Sequence, residues 1–287
     1  MKKVLNKIIS LLVIILGIGL LLYPFISEYL FEHRIDSEIN TYQNMVDDMS
    51  HDVYNRMIES AQEYNEALTQ SQVQLTDPFI EKKENVNFSY EDILSADGTG
   101  LMGYIEIPAI SVYLPIYHGT ASATLERGIG HLEGTSFPIG GESTHAVLTG
   151  HTGINKAKMF TDLTELEKGD LFFVHILEAV LAYEVYEINI VLPEDTSGLL
   201  IKNGEDIATL ATCTPYSINT HRLLVHGRRV DYSEEKYEKA AAIGNRDTDS
   251  QWMRSYKKAI LAGLFVTAVL FIIMLLLSKV KKKLKVK

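Results

Sequence analysis

One cysteine, Cys213, occurs in 287 residues, so an intramolecular disulfide cannot account for it. It closes an alternating run, Ile207-Ala-Thr-Leu-Ala-Thr-Cys213, and Arg222 opens another, Arg222-Leu-Leu-Val-His-Gly-Arg-Arg-Val230. Read as neighbouring antiparallel strands joined by residues 214–221, the two runs end on a thiol and a guanidinium that share a face. That pairing suits a nucleophile beside a permanent cation, whose donors can hold a carbonyl oxygen as a thioester forms. A surface salt bridge is the plainer explanation of an arginine at such a place, and it suits Arg228 and Arg229 better than Arg222.

A thiol of ordinary pKa ~8.5 is only about 3% thiolate at pH 7, so a cysteine nucleophile needs a nearby histidine. Nine histidines compete for that role. His33 and His51 lie on a helical pattern and read as solvated, and His175 sits within a strand pattern. His118, His131, His145, His221 and His226 border strands or turns with nothing to distinguish them. His151 follows Val147-Leu-Thr-Gly150 at a strand end and precedes Thr152-Gly153, where a ring can face a cleft. A zinc site on His145, His151 and Cys213 is the rival, but it lacks paired-ligand spacing. No metal cluster is visible in the sequence, and no cofactor is expected.

The elements that must carry these groups are mostly short strands. Gly103–Ile110, Val112–Tyr117, Ala146–Thr149, Leu171–Leu177, Leu181–Val191 and the two runs at Cys213 and Arg222 alternate, with Gly and Pro between them. Seven or eight such strands argue for a closed β-barrel or sandwich. Before them, Ile35, Ile39, Tyr42, Val46, Met49, Val53, Met57, Ala61, Tyr64 and Leu68 recur at steps of three and four. That period describes an amphipathic helix, in one or two pieces, packed as a layer or standing as a stalk. Asp77-Pro-Phe79 is read as its stop, because proline disfavours helical geometry in the residue before it.

Both ends read as membrane segments. Ala259–Leu277 is a run of 19 uncharged residues, long enough to cross the hydrocarbon core, and six lysines follow it. Lys2, Lys3 and Lys7 precede an apolar run from Ile8 to Ile26 without a small-x-small cleavage site, which favours an uncleaved anchor. Lysine-rich ends inside place residues 27–257 outside. With those nine lysines set aside, 18 of the 27 basic residues face 37 acidic ones, and so acidic a surface argues against nucleic acid as a partner.

Thr209-Leu-Ala-Thr-Cys213 resembles the T-L-x-T-C signature of sortases. Thr214-Pro-Tyr, Asn219-Thr-His-Arg-Leu-Leu-Val225, His131-Leu-Glu-Gly-Thr-Ser136, Leu148-Thr-Gly-His-Thr152 and Phe160-Thr-Asp-Leu163 are similar to the class C, pilus-assembling branch. Ser217 departs from that branch, whose members commonly carry glycine there. The resemblance implies a mainly β fold, a closed sortase-type β-barrel with an N-terminal helical layer, flanked by two transmembrane helices. It implies His151, Cys213 and Arg222 as the catalytic trio, and Asp77, Pro78 and Phe79 as a lid over them. The implied reaction cleaves an LPxTG-like sorting signal through a Cys213 thioester and transfers it to a pilin lysine. Pilin subunits and the membrane are the implied partners, on the outer face of a Gram-positive plasma membrane. The expected organisation is an anchor or uncleaved signal over 1–30, amphipathic helices over 31–72, a lid segment over 73–90, a catalytic barrel over 91–232, a linker over 233–257, and a C-terminal transmembrane helix with a basic tail over 258–287.

Overall fold

The computed structural model describes residues 2–71, 75–79, 88–96, 98–152, 158–243 and 251–284. Eight strands close into a barrel: β1 (Leu101–Ile107), β2 (Val112–His118), β3 (Ile129–His131), β4 (Thr144–Thr149), β5 (Leu171–Ile176), β6 (Ala179–Val191), β7 (Asp206–Thr214) and β8 (His221–Val230). Their order around the barrel is β1-β2-β3-β4-β7-β8-β6-β5, and β1 pairs with β5 to complete the ring. Alternation in each strand sends one set of side chains inward. Ile105, Ile116, Leu148, Phe172, Val174, Ala208, Leu210 and Val225 are wholly buried in that core. β3 has three residues, too few for alternation to mark it in the sequence. It joins β2, to which it is parallel, to β4, to which it is antiparallel.

Helix α1 (Lys2–Asp47) runs unbroken through Pro24, so residues 30 and 31 mark no break between anchor and helical layer. One stretch among the described residues, Ile14–Asp47, is long and apolar enough to cross a membrane. Further along α1, Ile35, Ile39, Tyr42 and Val46 are buried. The Tyr42 hydroxyl donates to Met102 O at 2.8 Å and accepts from Leu177 N–H at 2.8 Å, tying the helix to two parts of the barrel.

Helix α2 (His51–Gln70) buries Ala61 and Asn65. Asn65 donates to Phe137 O at 3.1 Å and accepts from Phe137 N–H at 2.7 Å, a closed amide pair that fixes α2 on the β3–β4 connection. The helix stops well before the expected breaker at Pro78. Ser71 leaves helical geometry at ψ 148°, and its N–H and hydroxyl both return to Leu68 O, the local competition by which serine ends helices.

Tyr90 lies in the short helix α3 (Phe88–Asp92). Its buried ring packs against Phe137, His118 and His131. One turn, α4 (Ser122–Leu125), follows β2. The expected linker starts with a packed helix, α5 (Glu234–Ile243), whose Tyr237 hydroxyl donates to Glu106 Oε2 at 2.7 Å. Helix α6 (Gln251–Leu284) belongs to a separate unit, 249–287. The expected second span falls on α6, where most side chains from 270 onward lie outside the described residues.

Candidate active site

Cys213 and Arg222 are directly paired across β7 and β8. Beside them, β4 runs parallel to β7 with Thr149 opposite Ala211, and the chains stay together past the end of β4. Gly150 N–H donates to Ala211 O at 3.1 Å, and the Thr212 hydroxyl donates to Gly150 O at 2.7 Å. Thr152 and Thr212 share a 2.6 Å hydroxyl contact. Two residues beyond the last ladder pair on each strand come His151 and Cys213, so this lacing carries the imidazole to the rim where the thiol sits. A Cβ on residue 150 would lie 2.7 Å from both Ile129 Cδ1 and Phe160 Cδ2, which only glycine avoids. Phe160 N–H in turn donates to His151 O at 3.1 Å.

Over this rim lies the 75–79 segment. Arg222 Nε donates to Asp77 Oδ1 at 2.8 Å and its Nη2 to Oδ2 at 2.6 Å, a two-pronged ion pair with both side chains largely buried. Arg222 Nη1 is held by Asn219 O and His221 O, so the guanidinium is oriented from both sides. Phe79 N–H donates to Asp77 Oδ1 at 3.3 Å, which curls the segment. The Phe79 ring lies 6.0 Å from the His151 ring and 5.0 Å from Arg222 Cζ. Thus Asp77 and Phe79, with Pro78 buried between them, meet two of the three rim residues directly. Of the expected 73–90 lid, residues 73–74 and 80–87 lie outside the described residues.

The electrostatics describe a resting site. Burial pushes the Cys213 thiol up, Arg222 pulls it down and Asp77 pushes it up again, with a net rise. Burial lowers the His151 pKa, with Glu126 opposing. Near neutral pH both groups are therefore uncharged. Burial works against the Arg222 cation, yet its bonds to Asp77 and the nearby Cys213 hold its pKa above the ordinary arginine value.

Five of the other histidines are used elsewhere. His145 Nδ1 lies 2.9 Å from Leu200 O and its Nε2 lies 2.6 Å from Thr209 Oγ1. With both nitrogens bonded, that ring has no lone pair to give the rival zinc site. His226 Nδ1 meets the same Thr209 hydroxyl at 2.7 Å. His131 is buried against Tyr90, Ser136 and Thr135, His118 faces Gly100 O and Ile93 O, and His175 faces Glu106.

Sequence reasoning missed the apolar floor beneath the rim. Leu132, Val147, Leu199, Ala211 and Leu224 form a cluster outside the main core, and Leu75 and Val191 pack on it. Alternation from Cys213 and Arg222 gives Ala211 and Leu224 as floor residues; Leu75 carries no such signal.

A sortase domain model matches residues 105–230. The structure is similar to that of sortase C-1 from Actinomyces oris, 48% identical, covering 62% of this chain and 99% of that one at a TM-score of 0.59. Sortase C1 from Streptococcus agalactiae is 43% identical and covers 69% of this chain and 100% of that one, at a TM-score of 0.63. Among curated relatives, Sortase D of Bacillus subtilis (strain 168) is 34% identical over 131 residues, 45% of this chain; the match spans 63% of that protein's length. A mainly β closed barrel, the rim built on β4, β7 and β8, and these likenesses lead to one conclusion: the chain belongs to the sortase family of cysteine transpeptidases, on its class C branch.

Proposed function

We propose that this chain is a membrane-bound transpeptidase that cleaves LPxTG-like sorting signals and joins them to a pilin lysine, polymerising pili on a Gram-positive cell surface. The observation that carries this reading is the Cys213–Arg222 pair on adjacent strands, with His151 laced beside it and Asp77 clasping the arginine.

The reaction starts when the 75–79 segment leaves the rim. Departure of Asp77 removes one influence that keeps the thiol protonated and frees two guanidinium N–H groups. His151 takes the Cys213 proton, and the thiolate attacks the threonine carbonyl of the signal. Arg222 donates to the oxygen as negative charge builds on it. The C–N bond to glycine breaks, the imidazolium gives its proton to the departing amine, and a thioester remains on Cys213. A lysine ε-amine then attacks the thioester and loses a proton to His151. An isopeptide bond forms and the thiolate is released.

In the resting arrangement Asp77 takes the place on Arg222 that a substrate oxygen would use, and Phe79 fills the space between imidazole and guanidinium. The segment is therefore a lid whose opening precedes binding. The test is mass spectrometry of the full chain in detergent after incubation with a sorting-signal peptide. An adduct on Cys213 that turns into an amide when a pilin lysine peptide is added is the expected result. No adduct, or an adduct that only hydrolyses whatever amine is offered, overturns the reading.

A further inference from the structure

The floor below Cys213 contains a buried polar atom that no described residue satisfies. Thr149 is fully buried, and its hydroxyl has no hydrogen-bond partner among the described residues. Neighbouring buried hydroxyls are all engaged: Thr212 bonds Gly150 O, Thr209 bonds two histidines, and Thr135 bonds Leu132 O. Buried polar groups without partners are rare, because each forfeits its hydration with no return.

The position of that hydroxyl gives its meaning. Thr149 pairs with Ala211, and Ala211 with Leu224, so Thr149 lies on the outer face with Val147, at the level of the apolar cluster on which Leu75 packs. Cys213 is two residues farther along the same face, about 7 Å at the rise of a strand. An extended acyl donor whose scissile carbonyl meets Cys213 therefore brings the residue two places earlier over Thr149. In an LPxTG-like signal that residue is proline. Proline has no N–H, so its main-chain carbonyl is what it offers, and a hydroxyl is a side-chain group that can donate to it.

We infer that Thr149 is a binding residue for the acyl donor: when the 75–79 segment withdraws and the donor replaces Leu75, the Thr149 hydroxyl donates to the carbonyl oxygen of the proline position. The inference rests on the proposed sorting-signal reaction and adds to it the group that fixes the donor's register. Leaving the hydroxyl unpaired until substrate arrives makes the bond favour the correctly placed donor over the empty groove.

The experiment uses the full chain in detergent, an LPxTG-like peptide, and the rate of Cys213 acylation followed by rapid quench and mass spectrometry. Thr149→Val keeps the shape and removes the hydroxyl; Thr149→Ser keeps the hydroxyl, and Thr149→Ala serves should valine fit poorly. Valine should raise the half-saturating donor concentration about tenfold with Tm unchanged or higher, as removal of an unpaired buried polar group should allow. Serine should remain within about twofold of the parent chain. A donor with an ester in place of the amide after proline weakens that carbonyl as an acceptor. It should slow the parent chain severalfold and leave the valine variant indifferent, the signature of a coupled pair.

Unchanged acylation in Thr149→Val, an equal ester effect in both proteins, or a Tm drop showing that the hydroxyl already has a partner each overturns the inference while the transpeptidase reading stands. Absence of any adduct on the parent chain overturns both together.

Discussion

The outer face of β4, β7 and β8 has two ends that use the same residue types to opposite purposes. At the lower end His145, Thr209 and His226 form a chain of bonds that runs from Leu200 O to the second imidazole, with every hydroxyl and three of the four ring nitrogens engaged inside the protein. At the upper end His151, Thr149 and Cys213 have no such closure. The Thr149 hydroxyl has no partner among the described residues, the His151 ring meets Phe79, and Arg222 is held by a carboxylate from a segment that is not part of the barrel. A polar network that satisfies itself rigidifies a structure. One that borrows its partners from a detachable segment is poised to accept others. On the proposed reaction, the contrast gives the lower histidines to stability and the upper one to chemistry.

Exchanging the roles is the strongest way to break that contrast. His151→Ala should lower Cys213 acylation by roughly 100- to 10,000-fold, the range over which a general acid–base residue acts, while Tm stays near that of the parent chain. His226→Ala should do the reverse, costing roughly 1–3 kcal/mol of stability by leaving Thr209 short of a partner, with acylation at a permissive temperature nearly unchanged. Rapid-quench acylation and thermal unfolding on both variants decide it; a large rate loss in His226→Ala would remove the division between the ends.

Next in size is release of the upper end from its borrowed partner. Asp77→Asn removes the charge that helps keep Cys213 protonated and weakens the clasp on Arg222. Charge-assisted hydrogen bonds contribute about 1.5–3 kcal/mol, so alkylation of the thiol should accelerate about tenfold or more. Its pH profile should also shift toward lower pH, because an influence that raises the thiol pKa is gone. Alkylation at the parent rate over the whole pH range would show that the 75–79 segment does not control access.

The lower end has its own pH signature. Burial depresses both His145 and His226 to about 4, below the ordinary value near 6.5. The unfolded chain therefore binds more protons than the folded one between these values. The stability that depends on neutral rings is fully present above about pH 6.5 and is lost as pH falls toward 4. Tm should decline over that window, and His226→Ala should flatten part of the slope. A Tm that holds level from pH 7 to 4.5 in the parent chain contradicts the burial of neutral imidazoles.

What was legible in the sequence follows the same division. Cys213 and Arg222 could be paired because alternation on two strands and one connection fixes their register, a local matter. His151 stood out by its turn, but Gly150 and the Thr152–Thr212 lacing that deliver it depend on β7, sixty residues away. His145 and His226 carried no signal, since a histidine buried in a satisfied chain is defined by Leu200 and Thr209 and not by its neighbours in sequence. β3 was too short for alternation to register. The rule for proline puts the end of α2 at Pro78, whereas Ser71 ends the helix through two bonds to Leu68 O. Asp77-Pro-Phe79 had meaning only through the family resemblance, because nothing local to the tripeptide points to Arg222, 145 residues on.

The smallest expected effect concerns the β7–β8 connection that supports the upper end. Ser217 takes φ +66° and Asn219 +59°, both in the left-handed region. Asparagine tolerates this through its short polar side chain, but serine is strained there by the contact of its Cβ with the following carbonyl, and glycine is not. Ser217 is exposed and two residues from Asn219, whose carbonyl accepts from Arg222 Nη1 at 3.1 Å. Ser217→Gly should therefore relieve the strain and raise stability by up to about 1 kcal/mol, less the extra freedom that glycine gives the unfolded chain. Since the backbone already has the shape glycine prefers, Arg222 stays where it is and acylation should match the parent chain within about twofold, less than the ~1 kcal/mol at stake in the loop. A slower variant with a lower Tm would mean that the serine side chain itself holds the connection. The upper end would then be braced by its loop as well as by Asp77, and less open to exchange of partners than the contrast with the lower end requires.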